Sequence, residues 1–447
     1  MLMKCFLGLC LCLLIFVSGH GQSNFQFKKN KKSVSIPFQL INNLIFIPVT
    51  LNGETLTFLL DTGVEQTLLF SLDDKEKVSL FYLEKINIGG LGSNKAIEAY
   101  KSSQNKMECN GYIDESHELY LVLDQDFNFS SQVGIPVNGI IGYNFFKDYP
   151  VEINYEKKKV IVHSSLNKKL KKKLERNFTK DTIAIEDHKP YYVSNVVTNG
   201  TAVYPSKLLL DTGNSDAIWL FKNKFSPASL PQKTIDDFLG RGFSGNVYGQ
   251  RGRISSFVFG AKTFENPIGT FPDSTSVNTA TFVFNRSGSL GGEVFTRFTV
   301  VFDYPNGKLY TKPNATVTAP FNFNMSGIEV QHDGLEWVKE TYDDTVNKGK
   351  IFYNGYTPEA RLQDNLKIKF VLKPVFRIYT IRIGSPAALS GLKSNDKIIA
   401  INRQKTNNLS IEKINELLKS EDGKTIEIEV ERNAKVFRYT FQLKKII

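Results

Sequence analysis

The chain has 447 residues, 41% hydrophobic and 23% charged, with 34 Phe and 18 Tyr. That length suggests about three domains, and the composition excludes a disordered or fibrous protein and fits a β-rich globular one. The net charge of +11 sits mostly in two runs, Lys28, Lys29, Lys31, Lys32 and Lys168, Lys169, Lys171, Lys172, Lys173; with no aromatics interleaved these read as solvated spacers, and no nucleic-acid partner is expected.

Met1 to Lys4 is a short basic start, Cys5 to Val17 an apolar run, and Ser18-Gly19-His20-Gly21 a small-residue stretch. This is the pattern of a signal peptide over 1–21, cleaved near Gly21-Gln22, too short to span a bilayer and followed by no stop-transfer segment. Leu9 and Leu11 are too bulky for a lipoprotein signal at Cys10 or Cys12. The expected location is the periplasm, the cell surface or the medium, with no transmembrane segment in the mature chain. Only Cys109 lies beyond residue 21, so no intrachain disulfide can form and stability must come from the core.

Ile45 to Leu51 reads as a strand running into Asn52-Gly53, a hairpin signal, and Leu56 to Leu60 returns and ends at Asp61-Thr62-Gly63. The same unit recurs 150 positions later, with the strand Tyr191 to Val197, Asn199-Gly200, and Leu208-Leu209-Leu210 ending at Asp211-Thr212-Gly213. A second anchor repeats at an offset of 149, Gly139-Ile140-Ile141-Gly142 with Val151 to Tyr155, then Gly288-Ser289-Leu290-Gly291 with Val300 to Tyr304. Two anchors in one order at nearly one offset define an internal duplication. The lobes span 33–164 and 182–313, joined by a basic linker over 165–181.

The duplicated carboxylate carries a chemistry. Two carboxyls a few ångström apart share one proton, so one acts as base toward a water while the other protonates the substrate. Gly63 and Gly213 allow close backbone approach, and Thr62 and Thr212 can bond across the lobe junction and fix the geometry. Asn214, unlike its counterpart Val64, can hydrogen-bond the neighbouring carboxylate; the shared proton is therefore expected on Asp61. The five histidines show no metal-ligand spacing, and no Gly-x-Ser-x-Gly, His-Glu-x-x-His or phosphate loop occurs, so no metal or cofactor is expected.

On these residues the stretch from Ile36 to Lys312 resembles the aspartic peptidases of the pepsin and retropepsin clan, and most of all bacterial aspartyl proteases with retropepsin-like lobes. The resemblance implies a mainly β, two-lobed aspartic-peptidase fold, peptide hydrolysis by Asp61 and Asp211, and a polypeptide substrate backbone held near Thr62, Gly63, Thr212, Gly213 and Asn214. It also implies a hairpin flap, for which Gly89, Gly90 and Gly92 are candidates in lobe one and Gly240 and Gly242 in lobe two.

A third unit covers 319–447. Ser385-Pro386 opens a short helix, Gly391 closes it, Lys397 to Ile401 is a strand, Leu409 to Lys419 has helical spacing, and two strands end the chain. Gly384 to Asn402 resembles a PDZ domain of the bacterial type, a small α+β fold. That resemblance implies a groove between strand and helix for the C-terminal peptide of a ligand. Two placements of its carboxylate loop stay open, Ser326-Gly327-Ile328 and Leu372 to Val375; the first implies an insertion over about 331–374.

The whole reads as an exported, monomeric aspartic endopeptidase whose PDZ-like domain binds polypeptide substrate or partner. The rival readings are an inactive peptide-binding scaffold of the cell envelope, and lobes that each dimerise with another chain.

Overall fold

The computed structural model describes residues 24–29, 31–70, 78–88, 97–123, 129–242, 245–277, 282–343 and 366–447. The leader and Gly89, Gly90 and Gly92 lie outside the described residues.

In lobe one, β1 (Leu44–Leu51) and β2 (Glu54–Leu60) pair antiparallel through a two-residue turn at Asn52-Gly53, whose φ values of 49° and 100° suit Asn and Gly. Helix α1 (Phe129–Val133) precedes the short β3 (Gly139–Ile141), which runs parallel to β2 in the middle of the lobe's sheet. The next strand, β4 (Val151–Asn154), leaves that sheet.

Helix α2 (Lys168–Asn177) follows, and here the structure corrects the reading of 165–181 as a solvated linker. Asn167 caps it by accepting from the Leu170 amide at 3.0 Å. Leu170 and Leu174, four apart and so on one face, are buried against Val301 and Tyr310. The lysines fill the outer face of an amphipathic helix.

Lobe two repeats lobe one with β5 (Lys189–Val197) antiparallel to β6 (Tyr204–Leu210). β7 (Thr234–Gly242) and β8 (Gly245–Arg253) form a long hairpin, β9 (Arg286–Leu290) runs parallel to β6, and β10 (Phe298–Asp303) leaves the sheet. β4 and β10 then pair with each other, Val151 opposite Phe302 and Ile153 opposite Val300, at the centre of a six-stranded sheet that both lobes share. The second anchors of the duplication thus meet across its pseudo-two-fold axis. Phe146, Phe295 and Phe302 stack edge-on beneath this junction; each fully buried ring is worth about 1.5–3 kcal/mol.

The C-terminal unit is a sheet in the order β11 (Ile328–Asp343), β12 (Leu366–Ile381), β13 (Lys397–Ile401), β14 (Thr425–Arg432), β15 (Lys435–Gln442). Helix α3 (Pro386–Ser390) is capped by Ser385 and ends at Gly391, φ 98°. Helix α4 (Ile411–Leu418) starts at Ser410, which accepts from Lys413 N, and buries Ile411, Ile414 and Leu418.

The expected insertion over 331–374 takes another form. As far as it is described, the stretch lengthens β11 and β12 themselves, paired from Ile328 opposite Ile381 out to Asp343 opposite Leu366. Alternation of Leu335 and Trp337 with polar neighbours, and of Ile368, Phe370 and Leu372, is strand patterning. Leu372 to Val375 therefore lies within a strand, Leu372 opposite Trp337 and Pro374 opposite Leu335, and is no loop. Among the described residues no helix is long and apolar enough to cross a membrane.

Candidate active site

The dyad is built by backbone. β2 ends at Leu60 and Asp61 N donates to Ile141 O of β3 at 2.9 Å; β6 ends at Leu210 and Asp211 N donates to Leu290 O of β9 at 2.9 Å. Each Asp thus leaves a central strand clamped by the neighbouring anchor. Those anchors must end in glycine, because a Cβ at Gly142 would lie 1.9 Å from Val64 O and one at Gly291 2.3 Å from Asp216 O.

The two loops interlock through their threonines. Thr62 Oγ1 donates to Leu210 O at 2.6 Å and accepts from Thr212 N at 3.0 Å. Thr212 Oγ1 donates to Leu60 O at 2.8 Å and accepts from Thr62 N at 3.0 Å. Four buried backbone groups are satisfied across the lobe boundary, which leaves the loops little freedom.

Gly63 N donates to Asp61 Oδ1 at 2.7 Å, and Gly213 N to Asp211 Oδ1 at 3.1 Å. The carboxyls are hydrogen-bonded to each other, with Asp61 buried and Asp211 partly exposed. Burial, reinforced by the Asp211 charge and by its hydrogen bond, pushes the Asp61 carboxyl well above the usual carboxylate range. Burial raises Asp211 too, but the buried Arg286 guanidinium and the Gly213 amide oppose it. Both carboxyls are pushed upward, so the pair favours keeping a proton, and the Arg286 cation favours the ionised form of Asp211.

Arg286 is a residue the sequence reading missed. It opens β9, bonds Gly288 O at 3.2 Å and Ser289 Oγ at 2.9 Å, and lies beside the paired rings of Phe221 and Phe282, 4.2 Å from the latter's centroid. Asn214 does other work than expected. Its side-chain oxygen accepts from Asp216 N at 3.0 Å, and its carbonyl from Gly292 N at 2.6 Å, so it shapes the loop behind Asp211. Burial alone would raise Asp216, but Arg251, 2.8 Å away, holds it below the usual range as a fixed anion.

Of the lobe-two flap candidates, Gly240 stands at a bulge of β7 with φ 137°, and Gly242 pairs with Gly245. This hairpin is tied to the C-terminal domain: Tyr379 Oη donates to Asn246 Oδ1 at 2.9 Å, Phe238 meets the Tyr379 ring edge-on, and Asp237 faces Arg382 at 3.4 Å.

In the C-terminal unit, Ser326 Oγ accepts from Ile328 N at 3.0 Å and donates to Asn324 Oδ1 at 2.7 Å. Gly327, φ 81°, packs so closely on Ser385 that a Cβ would lie 2.3 Å from it, and its carbonyl accepts from Arg382 N. These three residues form the tight turn that opens β11 beside the end of α4.

His117 bonds Asp114 Oδ2 at 2.8 Å and Thr67 Oγ1 at 2.7 Å, an acid–His–hydroxyl relay by geometry. All three residues are buried at about 1% exposure or less, so no substrate reaches them and the relay braces lobe one. Among the described residues no group of three His, Cys, Asp or Glu is placed to hold a metal.

A family model described as aspartyl protease matches residues 47–145, and one described as PDZ domain matches 377–432. The Retrovirus-related Pol polyprotein from transposon 412 of Drosophila melanogaster is 35% identical over 102 residues, which are 23% of this chain and 7% of that polyprotein. Among solved structures, an aspartic proteinase from Irpex lacteus aligns over 64% of this chain and 99% of its own, with TM-score 0.41 and 13% identity. Conglutin gamma, a basic 7S globulin from lupine seeds, aligns over 64% and 96%, with TM-score 0.40 and 11% identity.

Proposed function

We propose that this chain, with an aspartyl-protease match in its first lobe and a PDZ match near its C-terminus, is an exported aspartic endopeptidase. The observation that carries the reading is the hydrogen-bonded pair Asp61 and Asp211, each at the end of a central strand and locked together by Thr62 and Thr212. A peptide laid between the lobes meets one protonated and one ionised carboxyl. Asp211, ionised beside Arg286, takes a proton from the attacking water; Asp61 gives its proton to the carbonyl oxygen of the scissile bond. As the C–N bond of the tetrahedral diol breaks, Asp211 gives its proton to the leaving amine nitrogen and Asp61 takes one back from a diol hydroxyl, which leaves a carboxylic acid product and resets the pair. The PDZ-like domain binds polypeptide and brings it to the lobes. The 1–21 leader supports export, and one dyad per chain supports action as a monomer.

The test is incubation of the chain from residue 22 with an unbiased peptide mixture between pH 3 and 8, followed by mass spectrometry. Internal cleavages are expected; none at any pH would remove the enzyme reading and leave the scaffold one. The role of Arg286 has its own readout. Replacing it with Met takes away the cation opposing the rise of Asp211, so the first proton leaves the pair at higher pH. The acid limb of the kcat/KM profile should move to higher pH in Arg286→Met and stay in place in Arg286→Lys. An unmoved limb in Arg286→Met would assign the residue to packing alone.

A further inference from the structure

The groove of the C-terminal domain is covered in part by lobe one. Among the described residues β11 is the outermost strand of its sheet and pairs only with β12, so its other edge is the one that can accept an added strand. Helix α4 packs along β11, and Met325 N donates to Leu418 O at 3.2 Å, closing the groove at its turn end. Against both walls lies a piece of lobe one. Helix α1 packs on β11, Val133 is buried, and the following Gly134, φ 75°, abuts the first residue of α4. A Cβ built on Gly134 would stand 3.3 Å from Ile411 Cγ2 and 3.6 Å from Ile411 Cβ. What remains of the groove, at Val330, Gln331, Asn415 and Lys419, faces a cavity of about 810 Å³ that both lobes help to wall.

We infer that Phe129–Gly134 is an intramolecular cap on the groove, and that a polypeptide C-terminus binds there only by displacing it. This rests on the reading of 319–447 as a polypeptide-binding unit. The cap is one turn of helix and adds no strand to β11. An extended peptide can add to the edge of β11 as a strand, which the cap does not do, and so can compete with it. The cap is also wired to the dyad. Val137 N donates to Ser130 Oγ at 2.9 Å, and Asn138 Oδ1 accepts from Thr57 N at 2.9 Å. One residue further on, β3 begins, whose Ile141 carbonyl holds Asp61 N. Release of the cap therefore pulls on the strand that positions Asp61. A second strap runs alongside: Asn415 Nδ2 donates to Asn42 Oδ1 at 3.2 Å, and the adjoining Asn43 Nδ2 to Ser215 O, four residues past Asp211, at 3.0 Å.

The Gly134 and Ile411 positions fit a disulfide, for which Cβ atoms stand about 3.5–4.5 Å apart. In the chain from residue 22 carrying Gly134→Cys and Ile411→Cys, oxidation should close that bond, seen by mass spectrometry. The probe is a mixture of fluorescein-labelled octapeptides ending in free Val, Leu, Ile or Phe, read by anisotropy. The reduced protein should bind it, the oxidised protein should bind at least about 10-fold more weakly, and Val133→Asp should bind more tightly than the unaltered chain. Equal binding by oxidised and reduced protein, or no binding by any form, overturns the cap, as does Val133→Asp binding no more tightly than the unaltered chain. Hydrolysis of a short fluorogenic peptide by the reduced protein reports on the dyad separately, so loss of the peptidase reading leaves this result standing.

Discussion

Asp61→Asn and Asp211→Asn should each lower kcat/KM for peptide hydrolysis by about 10³-fold or more, roughly 4 kcal/mol of transition-state stabilisation, with the fold intact. Neither lone carboxylate can serve as base and acid in one turnover. Asn keeps the shape of the side chain and the acceptor that Gly63 N or Gly213 N addresses. The same substitution at Asp61 should stabilise the protein at neutral pH. Burial and the neighbouring Asp211 raise the Asp61 carboxyl from 3.8 to about 8, so the folded chain holds a proton there that the unfolded chain releases. Stability from this group is thus fully present below the unfolded value and is lost as pH rises through the folded one. Asn carries no such proton. Melting temperatures of wild type and Asp61→Asn should coincide near pH 4 and separate toward pH 8, with the variant higher by several degrees. A variant that cleaves peptides, or one that melts lower than wild type at pH 8, would be incompatible with a proton-sharing pair.

The juxtaposition of Asp61 and Asp211 was legible in the sequence because close packing leaves the parts that deliver them no freedom. A strand must deliver each Asp, a glycine must follow it, and a second glycine must end the strand beneath, since a Cβ at Gly142 or Gly291 would overlap backbone. Such constraints repeat verbatim in both lobes and show up as spacing. Arg286 was hidden for the opposite reason. It has no counterpart in lobe one; β9 pairs it with Lys207, and its side chain reaches forward along the strand to Ser289, toward the end where Asp211 stands, an arrangement across some 75 positions that no local pattern encodes. The mean charge of 165–181 masked Leu170 and Leu174, whose spacing was the informative signal. Reading 331–374 as an insertion assumed that strands stay short; the alternation in Trp337 and Phe370 argued for longer ones. The cap could not be read at all, because Phe129–Gly134 looks like any short polar connection until the C-terminal domain is seated beside it.

Gly213→Ala should reduce kcat/KM by about 10²-fold or more, and Gly63→Ala by much less, although both glycines occupy the same place in the duplicated motif. Neither adopts a positive φ, so alanine is conformationally acceptable at both and the difference lies only in what the methyl meets. At position 213 it would stand 2.2 Å from Asp61 Oδ2 and 2.3 Å from Asp61 Cγ; at 63 its nearest neighbour is Asp211 Oδ1 at 2.8 Å. Asp61 is the buried member and cannot swing away without leaving the Gly63 amide, whereas Asp211 is partly exposed and can give by a few tenths of an ångström. In the proposed mechanism the expelled carboxyl is the proton donor to the substrate oxygen, and a displacement of about 1 Å is enough to cost two orders of magnitude. Stability should move little in Gly63→Ala, where a stiffer unfolded chain offsets a small clash. Steady-state kinetics and melting curves of the two variants side by side decide the matter. Equal losses would mean that the two halves of the dyad are interchangeable, and a larger loss at Gly63 would mean that the proton is held on Asp211.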